Sequence, residues 1–156
     1  MPKEIERKFL VKCESWRQQT AGPGVEVRQG YLDSGKGSFR VRVAGDKGFI
    51  TLKAAREGIV RDEFEYEIPV GDAREIIASF CRYPLIEKTR YNVEQDGIIW
   101  EIDEFHGDNS GLVIAEVELM SEEQSFTIPS WAGKEVSFDP RYYNQYLTKR
   151  PYSKWK

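Results

Sequence analysis

Histidine is nearly missing from this chain of 156 residues; His106 is the only one. That argues against most zinc sites and against Ser-His and Cys-His triads. Cysteine is scarce too. Cys13 and Cys81 have no CxxC spacing and no ligand-like company, so two reduced thiols are expected rather than a disulfide. No apolar run is long enough to span a bilayer, and the start lacks a charged-then-apolar leader, so a cytoplasmic protein is expected. The net charge of −3 provides no general field for nucleic acid, so any basic site is local and balanced by acid elsewhere. Repeats and low-complexity segments are absent. A metal, if bound, would have carboxylates and water as ligands, which selects a hard ion such as Mg²⁺ or Mn²⁺.

What the chain does have is charge in a particular order. With 40% apolar and 31% charged residues, it has the composition of one soluble globular domain spanning 1–156. Its first strand, Glu4-Ile5-Glu6-Arg7-Lys8-Phe9-Leu10-Val11, sets Glu4, Glu6 and Lys8 on one face and Ile5, Phe9 and Val11 on the other. Two carboxylates at i and i+2 lie roughly 7 Å apart. Alone, such a strand reads as a solvated sheet edge. The device recurs, however, as Arg40/Arg42, Glu63/Glu65, Lys88/Arg90, Glu101/Asp103 and Glu116/Glu118. Solvated faces usually mix their signs, because opposite charges attract across strands. Acidic strips beside basic strips suit a polyanion held together with divalent metal ions.

Eight strands are predicted, at Lys3–Lys12, Glu26–Leu32, Ser38–Ala44, Phe49–Ala55, Val60–Pro69, Leu85–Gln95, Ile98–Phe105 and Leu112–Met120. A helix over Gly71–Arg82 has Asp72 as its expected N-cap, and a second helix covers Pro140–Thr148. Short helical turns are expected at Ser15–Gln19 and Ser121–Phe126, turns at Arg56–Gly58 and Glu94–Gly97, an irregular segment over Trp131–Val136, and a frayed basic tail from Lys149. The fold class is thus mainly β, an eight-stranded antiparallel closed barrel with a few flanking helices. The charge pattern favours an inverted arrangement, with the charged faces inward as a hydrated tunnel. The outer apolar faces would then be covered by the two helices and by a second subunit, so a homodimer is expected.

Glu4-x-Glu6-x-Lys8 at the N-terminus resembles the signature of the CYTH superfamily, the triphosphate tunnel metalloenzymes. The likeness continues through Arg28-Gln-Gly-Tyr-Leu32, Arg40-x-Arg42, Thr51-Leu-Lys53, Arg61-x-Glu63-x-Glu65, Glu87-Lys-Thr-Arg-Tyr91, Asp103, Glu116-Val-Glu118 and Asp139-x-Arg141-Tyr142-x-Asn144. Among the family's members, the chain looks most like the short bacterial tripolyphosphatases. The resemblance implies that Glu4, Glu6, Glu116 and Glu118 ligate Mg²⁺ or Mn²⁺, with Glu63, Glu65 and Asp103 as further acidic ligands or water-holders. It implies that Lys8, Arg40, Arg42, Lys53, Lys88 and Arg90 grip phosphate oxygens. It also implies that Tyr31 acts with Lys8 near the scissile phosphate, although Tyr31 reads equally as a packed aromatic.

The residue chemistry agrees with metal-dependent hydrolysis of inorganic triphosphate to pyrophosphate and phosphate. Arginines supply bidentate recognition of phosphate and lysines supply point charges. Phosphoryl transfer asks mainly for positioning and charge stabilisation, so a missing histidine is no obstacle. Within the same fold, a class IV-type adenylate cyclase or a thiamine triphosphate or nucleotide phosphohydrolase is the rival, though no nucleobase pocket is visible in the sequence. From another class, a non-catalytic polyphosphate-binding module remains, and a phosphate-release screen separates it from the enzymes. Neither nucleic acid nor membrane is an expected partner.

Overall fold

A computed structural model describes residues 3–55, 58–82 and 84–155. Its strands are β1 Lys3–Val11, β2 Val25–Leu32, β3 Ser38–Ala44, β4 Lys47–Lys53, β5 Val60–Ile68, β6 Ile86–Gln95, β7 Ile98–Phe105, β8 Val113–Glu118 and β9 Ala132–Glu135. The helices are α1 Val70–Phe80 and α2 Asn144–Leu147. Strands pair antiparallel in the order β5-β4-β3-β2-β6-β7-β8-β1, and Lys3–Ile5 of β1 returns to Val60–Asp62 of β5. The eight strands therefore close into a barrel, and a barrel has no open edges except where its seam parts.

The alternation of the sequence decides which face points where. On β1, Ile5 and Phe9 join an aromatic cluster outside the barrel with Trp16, Trp100, Val117 and Trp131. Glu4, Glu6 and Lys8 necessarily face the other way, into the barrel. The outer cluster is covered by the 3-10 turn at Ser15–Gln19 and by the segment leading to β9. A second outer cluster lies beneath α1, where Ala73 and Ile77 pack on Val41. Gly48 and Gly30 permit this close approach. A Cβ on Gly48 would lie 2.7 Å from the Ala73 methyl, and one on Gly30 would lie 2.6 Å from the Cys81 Cβ.

Several expectations shift. The Trp131–Val136 segment is not irregular. It contains β9, which pairs with Phe9 and Val11 of β1 across a register shift, and whose Glu135 binds Arg7 through two bonds of 2.8 and 2.6 Å. The outward Arg7 is thus used by a strand too short to announce itself by alternation. Helix α1 begins at Val70 after Pro69, so Asp72 lies in its first turn instead of capping it. The C-terminal helix is broken into a 3-10 turn at Pro140–Tyr142 and the single turn α2. The expected Arg56–Gly58 turn falls mostly outside the described residues. The hairpin at Asp96-Gly97 forms as expected, both residues having positive φ, 54° and 78°.

The C-terminal segment holds the main surprise. Leu147, Tyr142, Tyr152 and Trp155 pack with Ile86, Phe105, Ile114 and Leu10. Those four strand residues share their faces with Lys88, Asp103, Glu116 and Lys8, so this apolar layer is inside the barrel. Rather than covering an outer face, the last residues seal one end of the tunnel. The tail expected to fray is docked, with Pro151 buried and Tyr152 N–H donating to Asn109 Oδ1 at 2.8 Å.

Candidate active site

Above the apolar floor, the barrel encloses a cavity of about 480 Å³ lined mainly by charged side chains. Seven carboxylates and seven cations line it among the described residues, so the cavity is nearly neutral in sum and strongly divided in layout. Strand register produces the division. Glu6 lies opposite Glu118, and Lys8 opposite Glu116, across β1 and β8. Tyr31 lies opposite Arg40, and Gln29 opposite Arg42, across β2 and β3.

The basic wall is tightly held. Asp103 binds Arg90 through two bonds of 2.7 and 2.8 Å and Lys88 Nζ at 2.8 Å. Arg40 donates to Thr51 Oγ1 at 3.1 Å, and the same hydroxyl donates to Glu65 at 3.0 Å. Arg42 makes no ion pair among the described residues; its Nε donates to Gln29 Oε1 at 2.7 Å. Burial, Arg40 and Arg90 together lower the Arg42 pKa to about 9. Burial likewise lowers Lys88 to about 7, against Asp103 and with the help of Arg90 and Arg42. The buried Nε of Arg40 has no hydrogen-bond partner, a donor of the kind a phosphate oxygen satisfies.

The acidic wall is short of positive charge. Burial, the Glu116 charge and then Glu4 push the Glu6 carboxyl well above its ordinary range. Burial also pushes Glu116 up, but Lys8, a hydrogen bond with Glu6, Arg90 and Lys88 hold it well below. Glu6 and Glu116 thus pull apart, the first raised and the second lowered. Glu63 and Glu118 are raised as well, by burial first and by Glu4 next. Glu4, like Glu116, is held low. Burial raises it, yet Lys53 Nζ stands 2.9 Å from both of its oxygens and brings it below the usual value. Lys53 reaches Glu63 as well, at 3.5 Å.

Each residue singled out from the sequence lines the cavity, except Asp103. Asp103 is fully buried behind the wall, and both of its oxygens are committed to Lys88 and Arg90. As the side chains lie, its carboxylate holds two cations. Glu101 and Arg61 also line the cavity, as do Thr51, Asn144 and Tyr143. Thr51 shares the inward face of Lys53, two residues away, and Gln29 that of Tyr31, so alternation could have found both. His106 lies away from the cavity, its Nε2 2.7 Å from Thr89 Oγ1.

No three acidic, histidine or cysteine groups among the described residues stand close enough to cage a metal ion as the side chains lie. The donor set nevertheless fits a hard divalent cation. It consists of carboxylates alone, and three of them, Glu6, Glu63 and Glu118, have raised pKa values that a nearby cation would relieve.

Comparison with known proteins follows the same lines. An inorganic triphosphatase of Acetivibrio thermocellus is 51% identical over 158 residues, an alignment covering 100% of this chain and 99% of that protein. An inorganic triphosphatase of Nitrosomonas europaea is 40% identical, covering 92% of this chain and 95% of its own. The crystal structure of an inorganic triphosphatase superposes with a TM-score of 0.66 at 37% identity, over 95% of each chain. The model of the CYTH domain matches residues 2–148, and the chain belongs to the CYTH domain family.

Proposed function

We propose that this chain is a hydrolase that splits inorganic triphosphate into pyrophosphate and phosphate within its barrel, with Mg²⁺ or Mn²⁺ as cofactor. The observation that carries this is the division of one closed-floored cavity into a braced cationic wall and an undercompensated acidic wall, in a chain whose relatives above are inorganic triphosphatases. The triphosphate carries roughly four to five negative charges near neutral pH, which the nearly neutral lining cannot match without added cations. A lining made mainly of charged side chains favours a bare triphosphate over a nucleotide.

On this proposal Arg40, Arg42, Lys88 and Arg90 grip the phosphate oxygens, and Lys53 and Lys8 add charge from the acidic side. Glu4, Glu6, Glu116 and Glu118 hold the metal, while Glu63 and Glu65 orient the attacking water. A bound divalent ion supplies charge neutralisation at the phosphates and acidifies water. Water oxygen bonds to a terminal phosphorus as the bond to the bridging oxygen breaks, and pyrophosphate leaves. Lys8 offsets the charge that develops on the leaving oxygen, with Tyr31 beside the reacting phosphate. The test is phosphate release from triphosphate, ATP and thiamine triphosphate, with Mg²⁺ or Mn²⁺ and then with EDTA. Fastest release from triphosphate, abolished by EDTA, is expected; undiminished release in metal-free buffer would falsify the metal's role.

The same proposal takes the protein to work in the cytoplasm as a homodimer joined along β5. What supports it is the outer face there, where exposed Phe64 lies opposite exposed Leu52 and exposed Tyr66 opposite Ile50. No helix among the described residues is long and apolar enough to cross a membrane. Light scattering at twice the chain mass, lost on Phe64→Glu, is the expected result.

A further inference from the structure

One buried amide sits where three working side chains meet. Gln29 on β2 is 0% exposed. Its Oε1 accepts from Arg42 Nε at 2.7 Å, and its Nε2 donates to the Tyr31 hydroxyl at 3.0 Å and to Asn144 Oδ1 at 3.3 Å. Asn144 Oδ1 accepts a second bond, from Lys88 Nζ at 3.0 Å. The orientation of both amides follows from chemistry. Arginine and an ammonium group can only donate, so Gln29 must turn its oxygen to Arg42, and Asn144 must turn its oxygen to Lys88. The amide nitrogen of Gln29 is then left for Tyr31 and Asn144, as observed.

Two consequences bear on the reaction. Because the Tyr31 oxygen accepts from Gln29, its own O–H is free to serve the cavity that Tyr31 lines. Because Arg42 is held by a neutral amide, its charge is not cancelled as a carboxylate would cancel it. Lys88 and Arg90 share one carboxylate, whereas Arg42 is fixed and keeps its full charge for an anion. We infer that Gln29 is a positioning residue, setting Tyr31 and Arg42 directly and Lys88 through Asn144 on the C-terminal turn. The inference rests on the triphosphatase function proposed above.

The test compares Gln29→Met, which keeps the volume and removes the bonds, with Gln29→Glu, which keeps an acceptor for Arg42 but adds charge and cannot donate to Tyr31. Steady-state kcat and KM for triphosphate are measured with Mg²⁺, alone and in a Tyr31→Phe background. Gln29→Met should lower kcat/KM by roughly ten- to hundredfold, in the range of a misplaced catalytic group. Gln29→Glu should raise KM further, because Arg42 is neutralised. In the Tyr31→Phe background the kcat effect of Gln29→Met should vanish while its KM effect persists, a split that a merely structural role would not produce. A kcat loss undiminished in that background, or wild-type kcat and KM in both variants, overturns the inference. Should Gln29→Met fail to fold, Asn144→Ala decides; it removes the acceptor of Gln29 and Lys88 from a half-buried turn, and an unchanged KM overturns the inference. A wild type that releases no phosphate from triphosphate instead overturns the parent proposal, which separates the two failures.

Discussion

On the basic wall, every cation except Arg42 has at least part of a carboxylate, and Arg42 has an amide; on the acidic wall, Glu6 and Glu118 have no cation within ion-pair distance among the described residues. The first wall is braced by Asp103, Thr51 and Gln29 before any ligand arrives. The second is strained, its Glu6 carboxyl pushed up by burial and by the neighbouring Glu116 and Glu4 charges. Bracing suits the side that must fit a phosphate of fixed shape, since preorganised donors need no rearrangement during reaction. On the proposed function, strain suits the side that would accept an ion from solution, because binding there would relieve repulsion already present.

The largest effect expected from this contrast is on turnover. Glu6→Gln and Glu116→Gln should each cut triphosphate hydrolysis on the order of a thousandfold, the scale of several kcal/mol of metal-supplied charge stabilisation. Stability should move the other way for one of them. Glu6→Gln removes a half-buried carboxyl that burial and its acidic neighbours disfavour, and should raise the melting temperature of the ligand-free protein. Glu4→Gln should not, because Glu4 is the carboxylate that Lys53 already satisfies with two bonds of 2.9 Å. Equal stabilisation by both variants would show that the acidic wall is uniform, and the contrast with the basic wall would weaken.

On the basic wall the expected sign reverses. Asp103→Asn leaves the buried Lys88 without its carboxylate and Arg90 with only Glu101 and Glu116 at 3.4 and 3.6 Å, and removing one partner of such a cluster costs about 3–5 kcal/mol. Thermal or urea melts check this. A loss under about 1 kcal/mol, the scale of an exposed ion pair, would mean that water reaches the pair and the wall is not braced.

Ligand should then stabilise the whole. Triphosphate with Ca²⁺ at about 100 times its dissociation constant should add roughly 2.7 kcal/mol, since it binds only the folded barrel. Arg42→Ala should remove most of the melting shift. A shift no greater than sulfate gives at equal ionic strength would put the charged strips in contact with bulk solvent.

Much of this was legible because the barrel is built from a period of two. Once Ile5 and Phe9 are assigned to an apolar exterior, Glu4, Glu6 and Lys8 have only the interior left, and the same logic runs through Arg40/Arg42 and Glu116/Glu118. What alternation could not give was the closure of the tunnel. Leu10, Ile86 and Ile114 continue the inward charged faces as apolar residues, and that change marks the floor. Leu147 and Trp155 fill it from a segment with no strand period. Asp103 shows the other limit. Period two puts it on the inner face beside Glu101, but only the positions of Lys88 and Arg90 show that it lies behind them.

The smallest expected effect is a slope with pH, and it probes the strained wall alone. Glu6 has a folded pKa well above the ordinary 4.5, so the folded chain holds this proton where the unfolded chain has released it. Stability from that difference is fully present below about pH 4.5 and is lost as pH rises through the folded value. Glu63 and Glu118, raised too, add in the same sense. Glu116, held low, acts oppositely, but its contribution is complete above its unfolded value and falls away only toward acid. Lys88, lowered to about 7, regains stability only above that pH. The useful window is therefore pH 5 to 7, where ligand-free protein should lose at most about 1.4 kcal/mol per pH unit for one group. Urea melts across that window should show the decline in the wild type and a shallower one in Glu6→Gln. Saturating Mg²⁺ should flatten the wild-type decline, because an ion at these carboxylates takes the place of the proton. A decline that is the same in all three cases would locate the titrating groups away from Glu6, and the acidic wall would then be as fully compensated as the basic one.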